Sequence, residues 1–124
     1  MDFQSVLADL FQEEDAARSM ARELMKVANR SRGAAAKEKP ALLAFLAGPM
    51  ERHMEFEERS LFPKLEARGL GPEVGVAIKH HEAIRERRQD LETATDENDV
   101  AQIVFEVARL MLHHTNFEGD YIYP

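Results

Sequence analysis

Apolar residues recur at three- and four-residue spacing along nearly the whole chain, and no stretch alternates apolar with polar for long. β-Branched residues are scarce, so the pattern predicts helices and no strands. Four segments carry it. The first runs from about Phe3 to Asn29, with Phe3, Leu7, Leu10, Ala17, Ala21, Leu24 and Ala28 on one face, and stops at Ser31-Arg32-Gly33. The second starts near Pro40, a residue suited to a first helical turn, and continues to about Ala67, before Gly69. Pro49 inside it removes a backbone donor and predicts a kink. The third opens at Gly71-Pro72 and runs to about Ala94, and the fourth follows Thr95-Asp96, with Asp96 as N-cap, to about Glu118. The link from Ser31 to Lys39 reads as a loop. Short connections imply antiparallel neighbours. The expected fold is therefore all-α, an up-down-up-down antiparallel four-helix bundle forming one domain over residues 1–124.

Polar residues interrupt three of these apolar stripes. On the second segment Leu43, Leu46 and Met50 continue through His53 and Glu57 to Leu61. On the third, Val74, Ala77 and Ile78 continue through His81 to Ile84 and Leu91, and on the fourth, Ile103, Val107 and Leu110 continue through His114 to Phe117 and Glu118. Buried carboxylates are costly unless paired or metal-bound. At about 1.5 Å per residue, His81 lies on the order of 14 Å from the turn between the second and third segments and Glu57 on the order of 15 Å from it, so the two share one depth. His80 and His113 neighbour the stripe residues but are rotated about 100° away, which reads them as surface or supporting residues.

One internal repeat adds to this. His53 to Pro63 aligns without a gap on His114 to Pro124: each has His, Phe at +3, Glu at +4, an aromatic at +9 and Pro at +10. Residues four apart stack on one helix face, so each imidazole and carboxylate can reach a common point. Imidazole and carboxylate together are ligands for iron, manganese or zinc. Two such pairs on facing helices could hold two cations, with the carboxylates able to bridge them. Taken singly, an inward His is more often a hydrogen-bonded core residue, and a His–Glu pair at this spacing a surface pair. The duplication, with His81 at matching depth, favours a metal site made of His53, Glu57, His81, His114 and Glu118.

Composition narrows the chemistry. With no cysteine, thiolate nucleophiles, disulfides, Cys-ligated zinc and iron–sulfur clusters are excluded, and any metal must be held by nitrogen and oxygen. A net charge of −7 with dispersed acids argues against nucleic acid as a partner. The one basic cluster, Arg85-Glu86-Arg87-Arg88, reads as a solvated helix face. No apolar run approaches the roughly 18 residues of a membrane span, and Met-Asp-Phe-Gln-Ser has no secretory character, so a cytoplasmic location is expected.

These residues resemble the hemerythrin-like, or HHE cation-binding, family. The resemblance rests on His53-x-x-x-Glu57-Glu58 running into Leu61-Phe62-Pro63, on His81-Glu-Ala-Ile-Arg, and on His114-x-x-x-Glu118 with Pro124. It implies a helical bundle around a non-haem centre of two iron ions, with manganese or zinc as substitutes. Glu57 and Glu118 would bridge, His53 would sit on one iron, and His81 and His114 on the other. The family also places a His on the first helix, and this first segment has none: the stretch reads Gln12-Glu13-Glu14-Asp15. Glu14 continues the apolar series and is the expected substitute ligand; Asp15 is the alternative, and a vacant position the third reading. Oxygen carriers of the family have two His one turn apart on the third helix, where this chain has Ala77 and Arg85 on either side of His81. The resemblance thus implies reactivity with O2, peroxide or NO, including peroxidase-, catalase- or oxidase-like turnover. A binding, sensing or storage module, and a metal-depleted interaction bundle, are the competing expectations.

Overall fold

The computed structural model describes residues 3–122, with side chains described from residue 8 onward; Tyr123 and Pro124 lie outside the described residues. Every regular element among them is helical. α1 spans Phe3–Arg30, α2 spans Arg32–Ala36, α3 covers 39–67, α4 spans Gly71–Thr93, and α5 spans Glu97–Phe117 and runs on through a turn at Glu118–Ile122. The segment expected as a loop therefore contains a short helix. Ser31 causes it: its backbone is extended and its hydroxyl accepts a hydrogen bond from the Ala34 N–H at 3.2 Å, so a new helix is capped directly after α1 ends. Ala35 of α2 is buried, and α2 packs against α5.

The remaining boundaries follow from named residues. α3 ends where Gly69 takes φ +93°, the Gly69 N–H bonding the Glu66 carbonyl and the Leu70 N–H the Leu65 carbonyl at 3.0 Å each. This glycine-terminated stop satisfies the last carbonyls. Pro72 sits in the first turn of α4, where its missing N–H costs nothing. Asp96 caps α5 as expected, its carboxylate accepting from the Asp99 N–H at 3.1 Å.

α3 does not break at Pro49. It passes through the proline in a π-helical turn, Leu46–Met50, and makes a second one at Glu57–Leu61. There the Phe62 N–H reaches back five residues to the Glu57 carbonyl. Pro63 follows and has no N–H to close the next α-type bond, which favours the wider turn. α5 ends in a third such turn, Glu118–Ile122. Two of the three begin at the carboxylate of a His-x-x-x-Glu pair.

The core has two parts. One cluster contains Ala17, Ala21 and Leu24 of α1, Leu42, Leu46, Met50 and Met54 of α3, Ile84 and Leu91 of α4, and Val104, Val107 and Met111 of α5. The other contains Leu10, Leu61, Phe62, Leu65, Val74, Ala77 and Ile122. Each fully buried Leu, Val, Phe or Met in them contributes roughly 1.5–3 kcal/mol. The inward stripes are shifted slightly from those expected: Leu42 is buried and Leu43 only partly, and on α5 Val104 and Met111 replace Ile103 and Leu110. No helix among the described residues is long and apolar enough to cross a membrane.

Candidate metal centre

Between the two apolar clusters lies a polar layer. Reading along each helix, Glu14 falls between Leu10 and Ala17, His53 and Glu57 between Met50 and Leu61, His81 between Ala77 and Ile84, and His114 and Glu118 between Met111 and Ile122. All six side chains are buried; Glu14, the most exposed, retains only 5% of its surface. Helical periodicity aims them inward because each stands on the same stripe as the apolar residues around it.

His53 Nε2 lies 2.9 Å from Glu14 Oε1, 3.4 Å from Glu57 Oε1 and 4.0 Å from Glu118 Oε1. On the other side, His81 Nε2 is 3.2 Å from the same Glu57 oxygen, and His114 Nε2 is 2.7 Å from the same Glu118 oxygen. The six residues therefore form two sets, Glu14–His53–Glu57–Glu118 and Glu57–His81–His114–Glu118. In each set the candidate ligand atoms all lie within 4.8 Å of one another, and Glu57 and Glu118 belong to both.

Whether these residues fit cations can be judged from their unmet bonding. Glu14 Oε2, His81 Nε2, His114 Nε2 and both Glu118 oxygens are buried and complete no hydrogen bond of regular geometry, although the two Nε2 atoms face carboxylate oxygens at 3.2 and 2.7 Å. A buried polar atom left this way costs about 1–3 kcal/mol, and a bound cation is one way to satisfy it. The layer's nitrogen and carboxylate donors suit first-row divalent cations.

The charge state of the layer points the same way. Burial disfavours charge on His53, yet Glu14 and Glu57 outweigh it and push its pKa up to about 11. Burial, and then the facing Glu57 carboxylate, raises Glu118 well above the usual carboxylate range. Burial would likewise raise Glu57, but its contacts with Glu118, His53 and His81 hold it well below that range. Burial and the nearby His81 keep His114 neutral. Protons on His53 and Glu118 thus occupy positions that a cation would take, and metal binding would release them.

Each imidazole has an outer partner on its other nitrogen. His81 Nδ1 is 2.6 Å from Glu58 Oε2. Arg85 clamps that carboxylate, with Nη1 at 2.8 Å from the same oxygen, and its Nε and Nη2 also bond Glu51. Burial opposes the Glu58 charge, but Arg85 and His81 outweigh it and lower its pKa. His53 Nδ1 is 3.1 Å from Glu13 Oε1. His114 Nδ1 is 3.0 Å from His80 Nδ1, and burial together with His113 lowers the pKa of His80. Such partners fix which ring nitrogen carries the proton and so leave Nε2 free to face inward. Phe62, the aromatic nine residues after His53, stacks on the His81 ring at 5.5 Å.

The four residues of the duplicated His-x-x-x-Glu pairs and His81 are thus brought together with Glu14, while Asp15 is 77% exposed and pairs with Arg18. His113 is exposed, and His80 stands behind His114. Tyr121 packs on Phe117 and is 55% exposed; Tyr123 lies outside the described residues. Three functional neighbours escape sequence reasoning. Glu13 and Glu58 each follow or precede a stripe residue and look solvated, and Arg85 belongs to the cluster expected as a solvated face but is engaged by Glu51 and Glu58. A cavity of about 70 Å³ opens beside the first set, lined by Glu13, Glu14 and His53 with apolar Ala17, Phe45 and Met50.

Three imidazoles and three carboxylates, buried in one layer of a helical chain and grouped around two shared carboxylates, could hold metal cations. The chain belongs to the hemerythrin family: the hemerythrin HHE cation binding domain matches residues 5–124, essentially its whole length. No curated protein and no solved structure matches it.

Proposed function

We propose that this protein is a non-haem di-iron protein whose centre binds and reacts with O2, peroxide or NO, with the four long helical segments running up-down-up-down around it. The observation that carries this reading is the pair of four-residue sets sharing Glu57 and Glu118. Glu57 and Glu118 would bridge, Glu14 and His53 would complete one position, and His81 and His114 the other. Two irons so held would supply redox and Lewis-acid chemistry toward a small oxidant. The residues supply the rest. The apolar clusters on both sides exclude water, Glu58 and Glu13 orient their imidazoles, and the cavity beside His53 has room only for a very small molecule. Three carboxylates at one position favour the higher iron oxidation state, which supports oxidant chemistry over reversible O2 carriage.

A second reading, an iron- or oxygen-sensing or storage module without turnover, is supported by the complete burial of the inner carboxylates and the smallness of the adjoining cavity. Metal per chain, with optical spectra before and after peroxide, tests the first reading. Two irons with near-ultraviolet bands that respond to peroxide are expected, and repeated peroxide consumption separates turnover from sensing. No metal, or a single zinc without optical change, would sink the proposal and leave an interaction bundle.

A further inference from the structure

The basic cluster at Arg85, Arg87 and Arg88 does not form a single solvated face. Arg85 and Arg88 turn toward Glu51 of α3, whereas Arg87 turns toward α5. There it borders a cavity of about 530 Å³, lined by Arg87, Glu106, Arg109, Leu110 and His113. The α5 residues of this lining stand at i, i+3, i+4 and i+7, which is one face of a helix. Opposite them, α4 closes the groove at both ends. The His80 ring meets the His113 ring edge-on at 5.0 Å, and Arg87 Nη1 donates to Glu106 Oε2 at 2.8 Å. His80 and Arg87 are two helical turns apart, about 10 Å. Between them the α4 stripe carries Ala83, a single methyl, and Ile84, which is buried in the core. No long side chain fills the interval, so the groove stays open.

Charge in the groove is unbalanced. Glu106 is the acid of the lining, and both its oxygens are taken, Oε2 by Arg87 and Oε1 by Gln102 at 3.2 Å. Arg87 is held by Glu106 and Asp90 and still has N–H groups to donate. Arg109 is exposed and has no ion-pair partner among the described residues, although Glu106 stands one turn before it. On a chain of net charge −7, two guanidiniums beside one engaged carboxylate are a local excess of positive charge. Guanidinium forks match carboxylate and phosphate groups. Leu110 and the His113 ring supply an apolar wall, and the volume falls within the range of small-molecule sites, about 300–1,000 Å³.

We propose that this groove between α4 and α5 is a binding site for a small organic anion. Arg109 and Arg87 hold its carboxylate or phosphate, and Leu110 and the His113 ring hold its apolar body. The site lies outside the six-residue polar layer, and its occupation does not depend on metal there.

The test dialyses the full chain to equilibrium against radiolabelled benzoate, phenyl phosphate or benzyl alcohol at fixed ionic strength. One anion per chain is expected, with no retention of the uncharged alcohol. The tighter of the two anions tells carboxylate from phosphate as the preferred head group, and inorganic phosphate should bind more weakly than phenyl phosphate. Arg109→Gln changes an exposed helix position and should loosen binding about tenfold or more, as expected for a lost hydrogen bond between charged groups. Glu106→Gln should instead tighten binding, because it removes the competing acid. Metal content should be unchanged in both variants. Opposite signs at neighbouring positions are not what a general loss of structure produces. Retention of neither anion would overturn the proposal, as would benzyl alcohol held as tightly as benzoate. Anion binding that Arg109→Gln leaves unchanged would also overturn it, placing the anion elsewhere, and inorganic phosphate bound as tightly as phenyl phosphate would overturn the apolar half of the site.

Discussion

The two His-x-x-x-Glu turns share a sequence pattern yet become chemically opposite. His53 is pushed up to about 11 by Glu14 and Glu57 and holds a proton in the metal-free state, whereas His114 is driven well below its ordinary value and stays neutral. Their outer partners differ too, a carboxylate for His53 and an imidazole for His114. Even the carboxylates diverge, Glu57 lowered and Glu118 raised. Spacing along one helix decides where a ligand stands. The facing helices decide what it is: α1 contributes acids to the His53 side, and α4 contributes histidines to the His114 side.

Removing a shared carboxylate should have the largest effect. Glu118→Leu is expected to cut the stoichiometry from two cations to at most one, because Glu118 belongs to both sets. A variant that still binds two ions would break the comparison at its root. Next come the outer partners, which separate the two sides. Glu58→Gln should weaken the cation at His81 about 10–100-fold, since Glu58 is clamped by Arg85 and held 2.6 Å from the ring. Glu13→Gln should cost only a few-fold, on the order of the 0–1 kcal/mol of an exposed pair, because nearly half of the Glu13 side chain is exposed. Equal effects, read by metal titration, would show that burial does not set the difference.

A smaller effect is expected from pH. His53 and Glu118 have raised pKa values, so the metal-free fold binds more protons there than the unfolded chain does. Their stabilising contribution is complete below the unfolded values, near 6.5 for His53, and is lost as pH rises through about 11. The metal-free melting temperature should therefore fall between pH 7 and 10 while apparent metal affinity rises; a melting temperature that climbed over that range would contradict the assignment. The smallest effect is a control. Asp96→Ala should cost about 1 kcal/mol through the lost N-cap and leave metal stoichiometry unchanged, since Asp96 caps the far end of α5 from the polar layer.

These contrasts also mark how far the sequence is legible. The apolar stripe distinguishes His81 from His80, His114 from His113 and Glu14 from Asp15, and in each case the stripe residue is the one buried in the polar layer. Periodicity succeeds there because burial on a helix is a local, geometric property. It fails where the contact is between helices. Nothing local marks Glu58 as the partner of His81, twenty-three residues away, or converts Arg85 from a solvated charge into its clamp. The π-helical turns are half legible: Pro49 announces a missing donor and a kink, but not that the helix widens there, and nothing marks the turn at Glu57–Leu61. Helix α2 went unread because its cap, Ser31, also reads as a stop for α1.

The most direct test of the account is anomalous diffraction from crystals of the iron-loaded chain. Two peaks are predicted roughly 3.5–4 Å apart, one beside Glu14 and His53 and the other beside His81 and His114, with Glu57 and Glu118 reaching both. A single peak, or a pair with Glu14 turned away from it, would contradict the claim that the duplicated turns build one shared two-cation centre.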